Sequence, residues 1–348
     1  MKVGIDYWPA STHGPGVGRY VRETVRALAR LEDAPRLALL DVGRGQRAFE
    51  EDLGLDGRGV LRVRASLPRR ALQWSARLGL GADRWLGGCD VFHGALHDAP
   101  PLSRALRTLA LAEFPRADAQ LDTCAAIVTF SAWAATQLTR RFELDPARVH
   151  VLPVGCDHWS RDAAPRARPD GAPWVLALGR LDSRRAPSTL LAACELLRAG
   201  GRELRLAFLG RRGDAYDELR ARVTRSPMCT AVRFVSEPSE RELASNVASA
   251  SVLVHLTDGE LSAVTPLEGL AAGAGVVASR IPTFEELLGA HATFVEGPPG
   301  ELEPAVLAAA LQRALDAPPA PRTFLEHFTW ERHARALLEL WRSLPPAR

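Results

Sequence analysis

Lysine is nearly absent from this chain. Lys2 is the only one, and arginine supplies the rest of the 44 cationic residues, a bias read first as a genome-composition effect. The five cysteines, Cys89, Cys124, Cys156, Cys194 and Cys229, are odd in number and scattered, with no Cys-x-x-Cys spacing. That argues against a disulfide framework and a zinc site, and leaves buried free thiols in a reducing compartment as the ordinary reading. No uninterrupted apolar run approaches the ~20 residues that span a bilayer. The N-terminus, Met1-Lys2-Val3-Gly4-Ile5-Asp6-Tyr7-Trp8, has no signal-peptide apolar core, so a cytoplasmic location is expected. Strong charge is missing too. The net is +3, with 21 cationic against 18 anionic residues in 1–157 and 23 of each thereafter, which gives no strong attraction for nucleic acid. No short internal repeat or low-complexity segment is present.

What is present is alternation. At 348 residues and 47% apolar, the chain is long enough for two domains, each with its own core. A strand pattern at Lys2–Tyr7 leads through the Gly/Pro loop Gly14–Gly18 into a helix over Arg19–Leu31. Strand signals follow at Leu37–Val42, Val60–Val63, Val91–His93, Leu109–Ala112, Ile127–Phe130 and Val149–Pro153, several with helical patterns between them. The Arg/Ala/Pro/Asp-rich stretch from Trp159 to Pro173 reads as a linker. A second set then begins with strand Trp174–Gly179 and helix Thr189–Ala199. It continues through strand Leu204–Leu209, helix Ala215–Thr224, strand Val232–Val235, helix Glu240–Ala250 and strand Val252–Leu256. A short helix at Pro266–Gly273 and an amphipathic tail at Trp330–Leu344 complete it. Strands alternating with helices argue for parallel sheets with helices on both faces, an α/β class.

Several loops carry residues suited to an anion. The glycines of Gly14–Gly18 let backbone N–H groups approach a phosphate. Position 19 is arginine rather than the glycine of GxGxxG, and no acidic ribose ligand stands downstream, so a dehydrogenase reading is poor. After the strand at Trp174, the loop Gly179-Arg180-Leu181-Asp182-Ser183-Arg184-Arg185 offers guanidinium groups that bind phosphate bidentately. Glu260 and Glu268 flank a strand end and a helix start, where ligands of open α/β sheets bind. In the first half, Asp90-Val91-Phe92-His93-Gly94-Ala95-Leu96-His97 ends a strand. His93 and His97 suit acceptor hydroxyls or phosphate, and a structural role fits either equally. The plain alternatives are a tight turn at Gly16 and a solvated basic loop at Arg180–Arg185.

Taken together, these segments resemble the retaining glycosyltransferases of family 4, glycosyl transferases group 1, with the GT-B fold. The match is most specific from Arg180 to Glu286. The stretch Glu260-Leu261-Ser262-Ala263-Val264-Thr265-Pro266-Leu267-Glu268, with the small-residue run to Gly273, stands where the family carries its nucleotide-sugar glutamates. Arg180 and Arg185 stand for the family's Arg and Lys, and Gly16 for its first-loop glycine. Phe130-Ser131-Ala132-Trp133 and Val151-Leu152-Pro153-Val154-Gly155-Cys156-Asp157 resemble fold-marking segments, with Val154 in place of asparagine.

The resemblance implies two Rossmann-like domains facing an interdomain cleft. Residues 1–160 would form the acceptor-side domain and 172–328 the nucleotide-sugar domain, with a helix over 329–348 crossing back onto the first. It implies transfer of a sugar from a nucleoside-diphosphate sugar, such as a GDP- or UDP-sugar, to a glycan or lipid-linked acceptor with retention. Glu260 would orient the donor sugar and Glu268 the ribose. Arg180 and Arg185 would neutralise the diphosphate, with Gly16, Ser262, Ala263 and Val264 lining the donor. With no Asp-x-Asp motif, neither cofactor nor metal is expected. His93, His97 and Glu113 are acceptor or reaction-centre candidates.

The chain departs from the family at three further places. Ala112-Glu113 replaces its His-Asp, Leu261-Ser262-Ala263 its Gly-Phe-Gly, and Gly275 a common proline. Two other readings therefore stay open: a non-catalytic partner or scaffold of an active transferase, and a nucleotide-sugar 2-epimerase. Leu67–Leu86, with Arg69, Arg70, Trp74, Arg77, Arg84 and Trp85, reads either as an amphipathic surface helix touching anionic lipid at the inner membrane face or as a packed helix with snorkelling arginines.

Overall fold

Two all-parallel sheets organise the chain, and their strands are the apolar runs of the sequence. A computed structural model describes residues 1–14, 16–47, 60–96, 99–115, 121–159, 171–236 and 238–346. His97 and most of the linker lie outside these described residues. The chain divides into one unit of Met1–His158 with His327–Arg348, and a second of Trp159–Glu326.

In the first unit the strands are β1 (Lys2–Asp6), β2 (Arg36–Val42), β3 (Leu61–Ala65), β4 (Val91–Gly94), β5 (Leu106–Ala110), β6 (Cys124–Thr129) and β7 (Val149–Val151), ordered β3-β2-β1-β4-β5-β6-β7. In the second they are β8 (Trp174–Leu178), β9 (Arg205–Leu209), β10 (Val232–Val235), β11 (Val252–His255), β12 (Gly275–Ser279) and β13 (Thr293–Val295), ordered β10-β9-β8-β11-β12-β13. A parallel strand covered on both faces must be apolar throughout, which is why the Val/Leu/Ala runs show no alternation. In both sheets the order reverses beside the first strand, between β1 and β4 and between β8 and β11. Loops leaving the carboxyl ends of such a pair splay apart and open a crevice, the usual ligand position of this architecture.

The helices of the first unit are α1 (Trp8–Thr12), α2 (Val17–Arg30), α3 (Arg70–Arg77), α4 (Ala82–Trp85) and α5 (Ala132–Arg141). Those of the second are α6 (Pro187–Ala199), α7 (Tyr216–Arg225), α8 (Glu240–Ser249), α9 (Val264–Ala271), α10 (Pro282–Leu288), α11 (Pro304–Asp316) and α12 (Arg322–Leu325). The final helix, α13 (Trp330–Ser343), packs on α2 of the first unit. The strand expected at Leu109–Ala112 lies at Leu106–Ala110, with a register shift at Arg107/Thr108. Ala112-Glu113 therefore falls beyond the strand end. The helix expected across Leu67–Leu86 is two pieces, α3 and α4, parted where Gly79 takes φ +78.

A buried polar chain fastens α13. His333 Nδ1 lies 3.1 Å from the Pro153 carbonyl, which only accepts, so Nδ1 carries the proton and Nε2 accepts from Tyr20 Oη at 3.2 Å. Tyr20 Oη then accepts from His93 Nε2 at 3.1 Å. His93 Nδ1 accepts from Thr108 Oγ1 at 3.0 Å, and Thr108 accepts from Trp341 Nε1 at 3.1 Å. Every donor has one acceptor when both histidines are neutral. Burial, aided at His93 by repulsion from His333, depresses His93 to about 3, and burial depresses His333 to about 4.

Candidate functional site

The loops leaving β8 and β11 carry Arg180, Asp182, Arg184 and Arg185 on one side and Asp258 and Glu260 on the other. Because Ala177 of β8 registers with Val254 of β11, Arg185 and Glu260, 75 residues apart, meet outside the same pair of strand ends. After β8, Gly179 turns the chain at φ +126. Arg180 points outward with its side chain 64% exposed and pairs with Asp182 at 3.1 Å. Ser183 donates through its amide and hydroxyl to Asp214, at 2.6 and 2.9 Å, which secures the short 3-10 turn Ser183–Arg185 and lowers the Asp214 carboxyl. Ala186 then enters α6 in the left-handed region, φ 47 and ψ 47.

Arg185 and His255 converge on Glu260. Arg185 Nη2 lies 3.1 Å and His255 Nε2 2.9 Å from the same carboxylate oxygen, Oε1. Among the described residues Oε2 has no hydrogen-bond partner, and the side chain is 18% exposed. Burial by itself raises the Glu260 carboxyl, but the charge and hydrogen bonds of His255 and Arg185 overcome it and hold the group at about 2. Glu260 is thus a fixed anion with one oxygen anchored and one left over. A cavity of about 30 Å³, room for a water, lies alongside, with Gly179, Arg180, Arg185 and His255 in its wall. The loop between β11 and Glu260 is tied to β12 through the Thr257 amide, which donates to Ser279 Oγ at 2.9 Å.

Ser262 and Ala263 are buried, Val264 is half-buried, and Leu261 is fully covered. Among the described residues no side chain caps the N-terminus of α9, and since Pro266 has no N–H, the amides of Val264 and Thr265 are the ones its first turn can offer to another acceptor. Glu268, buried at 1% exposure, sits mid-helix on α9. The small residues after it have steric causes. A Cβ on Gly269 would lie 3.0 Å from Leu253 Cβ of β11, and one on Gly275 would lie 2.2 Å from the Ala314 carbonyl of α11. The site therefore assembles Glu260, Arg185 and Arg180 on one pair of loops, with Glu268 on the adjoining helix.

In the first unit, Gly16 is the N-cap of α2 at φ +84, and a Cβ on Gly18 would meet the His13 carbonyl at 2.1 Å. Arg22, fully buried, donates to the carbonyls of Ala10, His13 and Gly14 and so fixes the chain leading to Gly16. His93 is 1% exposed with both ring nitrogens engaged in the chain to α13, so it presents nothing to a solvent-borne ligand. Glu113 is exposed past the end of β5. His255 escaped the sequence reading; a histidine closing an apolar strand five residues before a glutamate was the available signal. Among the described residues, no group of three or more His, Cys, Asp or Glu side chains is placed to hold a metal ion.

Comparison with known proteins gives this geometry its context. Residues 160–327 match the model of the family described as glycosyl transferases group 1. The chain is 29% identical over 260 residues to a phosphatidyl-myo-inositol mannosyltransferase of Mycobacterium tuberculosis (strain H37Rv), covering 67% of each protein. It is 33% identical over 180 residues to the protein of that name from Mycolicibacterium smegmatis, covering 49% of this chain and 43% of that one. Among solved structures, Anabaena HepE in complex with UDP and glucose superposes with a TM-score of 0.73 at 15% identity, covering 99% of this chain and 100% of that one. The sucrose-phosphate synthase of Thermosynechococcus elongatus superposes with a TM-score of 0.71 at 17% identity, covering 99% of each. With its two parallel Rossmann-like sheets the chain has the GT-B fold, and its group 1 segment together with the mannosyltransferase relatives supports glycosyltransferase activity.

Proposed function

We propose that the chain transfers a hexose from a nucleoside-diphosphate sugar to a lipid-linked acceptor with retention of configuration, without a required metal. The observation that carries this reading is the Glu260 carboxylate, anchored through Oε1 by Arg185 and His255 with Oε2 unoccupied. An anion fixed in this way suits a neutral, hydroxyl-rich ligand, because Oε2 accepts hydrogen bonds from sugar hydroxyls without reorganising. Glu268 takes the ribose hydroxyls. Arg180 and Arg185, with the amides that open α9, take the diphosphate and stabilise the charge that develops as the sugar leaves. The C1–O bond to the phosphate breaks with its electron pair passing to the phosphate oxygen. The acceptor oxygen bonds to C1, and its proton passes to that same phosphate oxygen.

The mannosyltransferase relatives favour a mannosyl donor and an inositol-phospholipid acceptor, whereas the HepE structures hold UDP, glucose and UDP-glucose. The segment around α3 supports a peripheral membrane position. Trp74, Leu78 and Leu80 are exposed there, among Arg64, Arg70 and Arg77, and no acidic residue occurs from Val60 to Ala82. Such a surface suits anionic lipid.

Turnover of GDP-mannose and UDP-glucose, with and without phosphatidylinositol, tests the reading. Acceptor-dependent release of nucleoside diphosphate that Glu260→Ala abolishes is expected. Release unaffected by that substitution contradicts it. Conversion of donor alone into a different nucleotide sugar would identify an epimerase instead.

A further inference from the structure

His255 closes β11 at 4% exposure, and in donor binding as described above it meets neither the sugar nor the diphosphate itself. Its Nε2 lies 2.9 Å from Glu260 Oε1. A carboxylate oxygen only accepts, so Nε2 carries the proton, and the 3.3 Å approach of Arg185 Nη1 to that nitrogen is then not a hydrogen bond. Nδ1 is buried with no partner among the described residues. The ring is steadied instead by packing, with its centroid 5.7 Å from that of Phe284 on α10. Its one bonded donor is therefore directed at Glu260.

Arg185 reaches the same oxygen, but the two anchors differ in their freedom to leave it. Arg185 stands on a short turn, 21% exposed, and its Nε–H is a buried donor with no acceptor among the described residues. An incoming phosphate offers the acceptors that this pose lacks. His255 is held in the second sheet, where β11 lies between β8 and β12, and has no such alternative. When Arg185 turns to a diphosphate, its hold on Glu260 weakens just as the carboxylate must be aimed at the sugar.

We propose that His255 is a positioning residue of the donor site, holding Glu260 Oε1 from β11 so that Oε2 stays aimed at the hexose while Arg185 engages the diphosphate. The proposal rests on the donor-site reading above and adds a residue to it.

Calorimetric titration with GDP, GDP-mannose, UDP and UDP-glucose first finds the pair that binds the wild-type chain, and the ratio of the two Kd values gives the increment due to the sugar. His255→Leu is expected to reduce that increment by about tenfold or more, the worth of one charge-assisted hydrogen bond, and to leave the Kd of the nucleoside diphosphate unchanged. His255→Gln, whose amide N–H has a similar reach, should restore it. His255→Asn, whose amide falls short of Glu260, should behave like His255→Leu and serves if the leucine variant does not fold. In a Glu260→Ala background, His255→Leu should add nothing, because the histidine acts through that carboxylate. An undiminished sugar increment in His255→Leu and His255→Asn, a loss of nucleoside-diphosphate affinity in them, or a further loss in the Glu260→Ala background would overturn the proposal. Failure of the wild-type chain to bind any of the four ligands would instead remove the donor site itself, and the proposal with it.

Discussion

His93 and His333 are neutral in the interior of the first unit, and this makes the anchorage of α13 sensitive to acid. Their folded-state values, about 3 and about 4, compare with about 6.5 in an unfolded chain. A histidine whose pKa falls on folding contributes its stability above the unfolded value. It loses that contribution as pH drops towards the folded value, because the unfolded chain takes up the proton first. The window therefore opens near pH 6.5 and runs down to about pH 4 for His333 and about pH 3 for His93. At pH 5 the unfolded histidines are mostly charged and the folded ones still neutral. Relative to pH 7.5, each then withdraws about 2 kcal/mol, and the pair about 4. That magnitude requires only that both remain neutral at pH 5 in the folded chain. The slowest-exchanging amides of β4 and α13 report the opening of this unit. After correction for intrinsic exchange rates, their protection should fall roughly a thousandfold between pH 7.5 and 5. A His93→Gln, His333→Gln double variant should show little of that dependence. Equal pH dependence in the wild type and the double variant would refute the reasoning.

Three further outcomes follow from the geometry. Ala186→Gly removes a Cβ from the left-handed region, so despite the entropy glycine adds to the unfolded chain it should stabilise the second unit by about 0.5–1 kcal/mol, read as a rise of roughly 2 °C in calorimetric melting. Gly275→Ala places a Cβ against the Ala314 carbonyl, and should destabilise that unit by about 2 kcal/mol or more in denaturant titration. A Trp74→Ser, Leu78→Ser double variant should sediment less with vesicles containing anionic lipid and leave nucleotide binding intact; equal sedimentation would remove α3 from the membrane reading.

The sequence made the second unit more legible than the first. Its strands are short apolar runs bounded by Gly, Pro or charge, and the residues after β8 and β11 are the ones the parallel register brings together. The β12–α10–β13–α11 end carries no assignment in the sequence, because Ala-rich and Val-rich runs of that length do not separate strand from buried helix by period alone. In the first unit, Ala105 to Ala112 is apolar apart from Arg107 and Thr108, and nothing local sets where the strand begins, so its end was placed late. His93 was legible as a polar residue at a strand end. Its confinement depends on Tyr20, Thr108 and His333, which are remote in sequence. His255 was missed for the converse reason: its partner is five residues away, yet the chain must leave the sheet and turn back before they touch.

The central claim is that the loops after β8 and β11, with α9, form a site for a nucleoside-diphosphate sugar. A thermal-shift panel of GDP, UDP and ADP with their common sugar conjugates, with and without magnesium, tests it most directly. The account predicts an upward shift selective for one base, independent of magnesium and lost in Arg180→Ala. No shift with any nucleotide at millimolar concentration would contradict it.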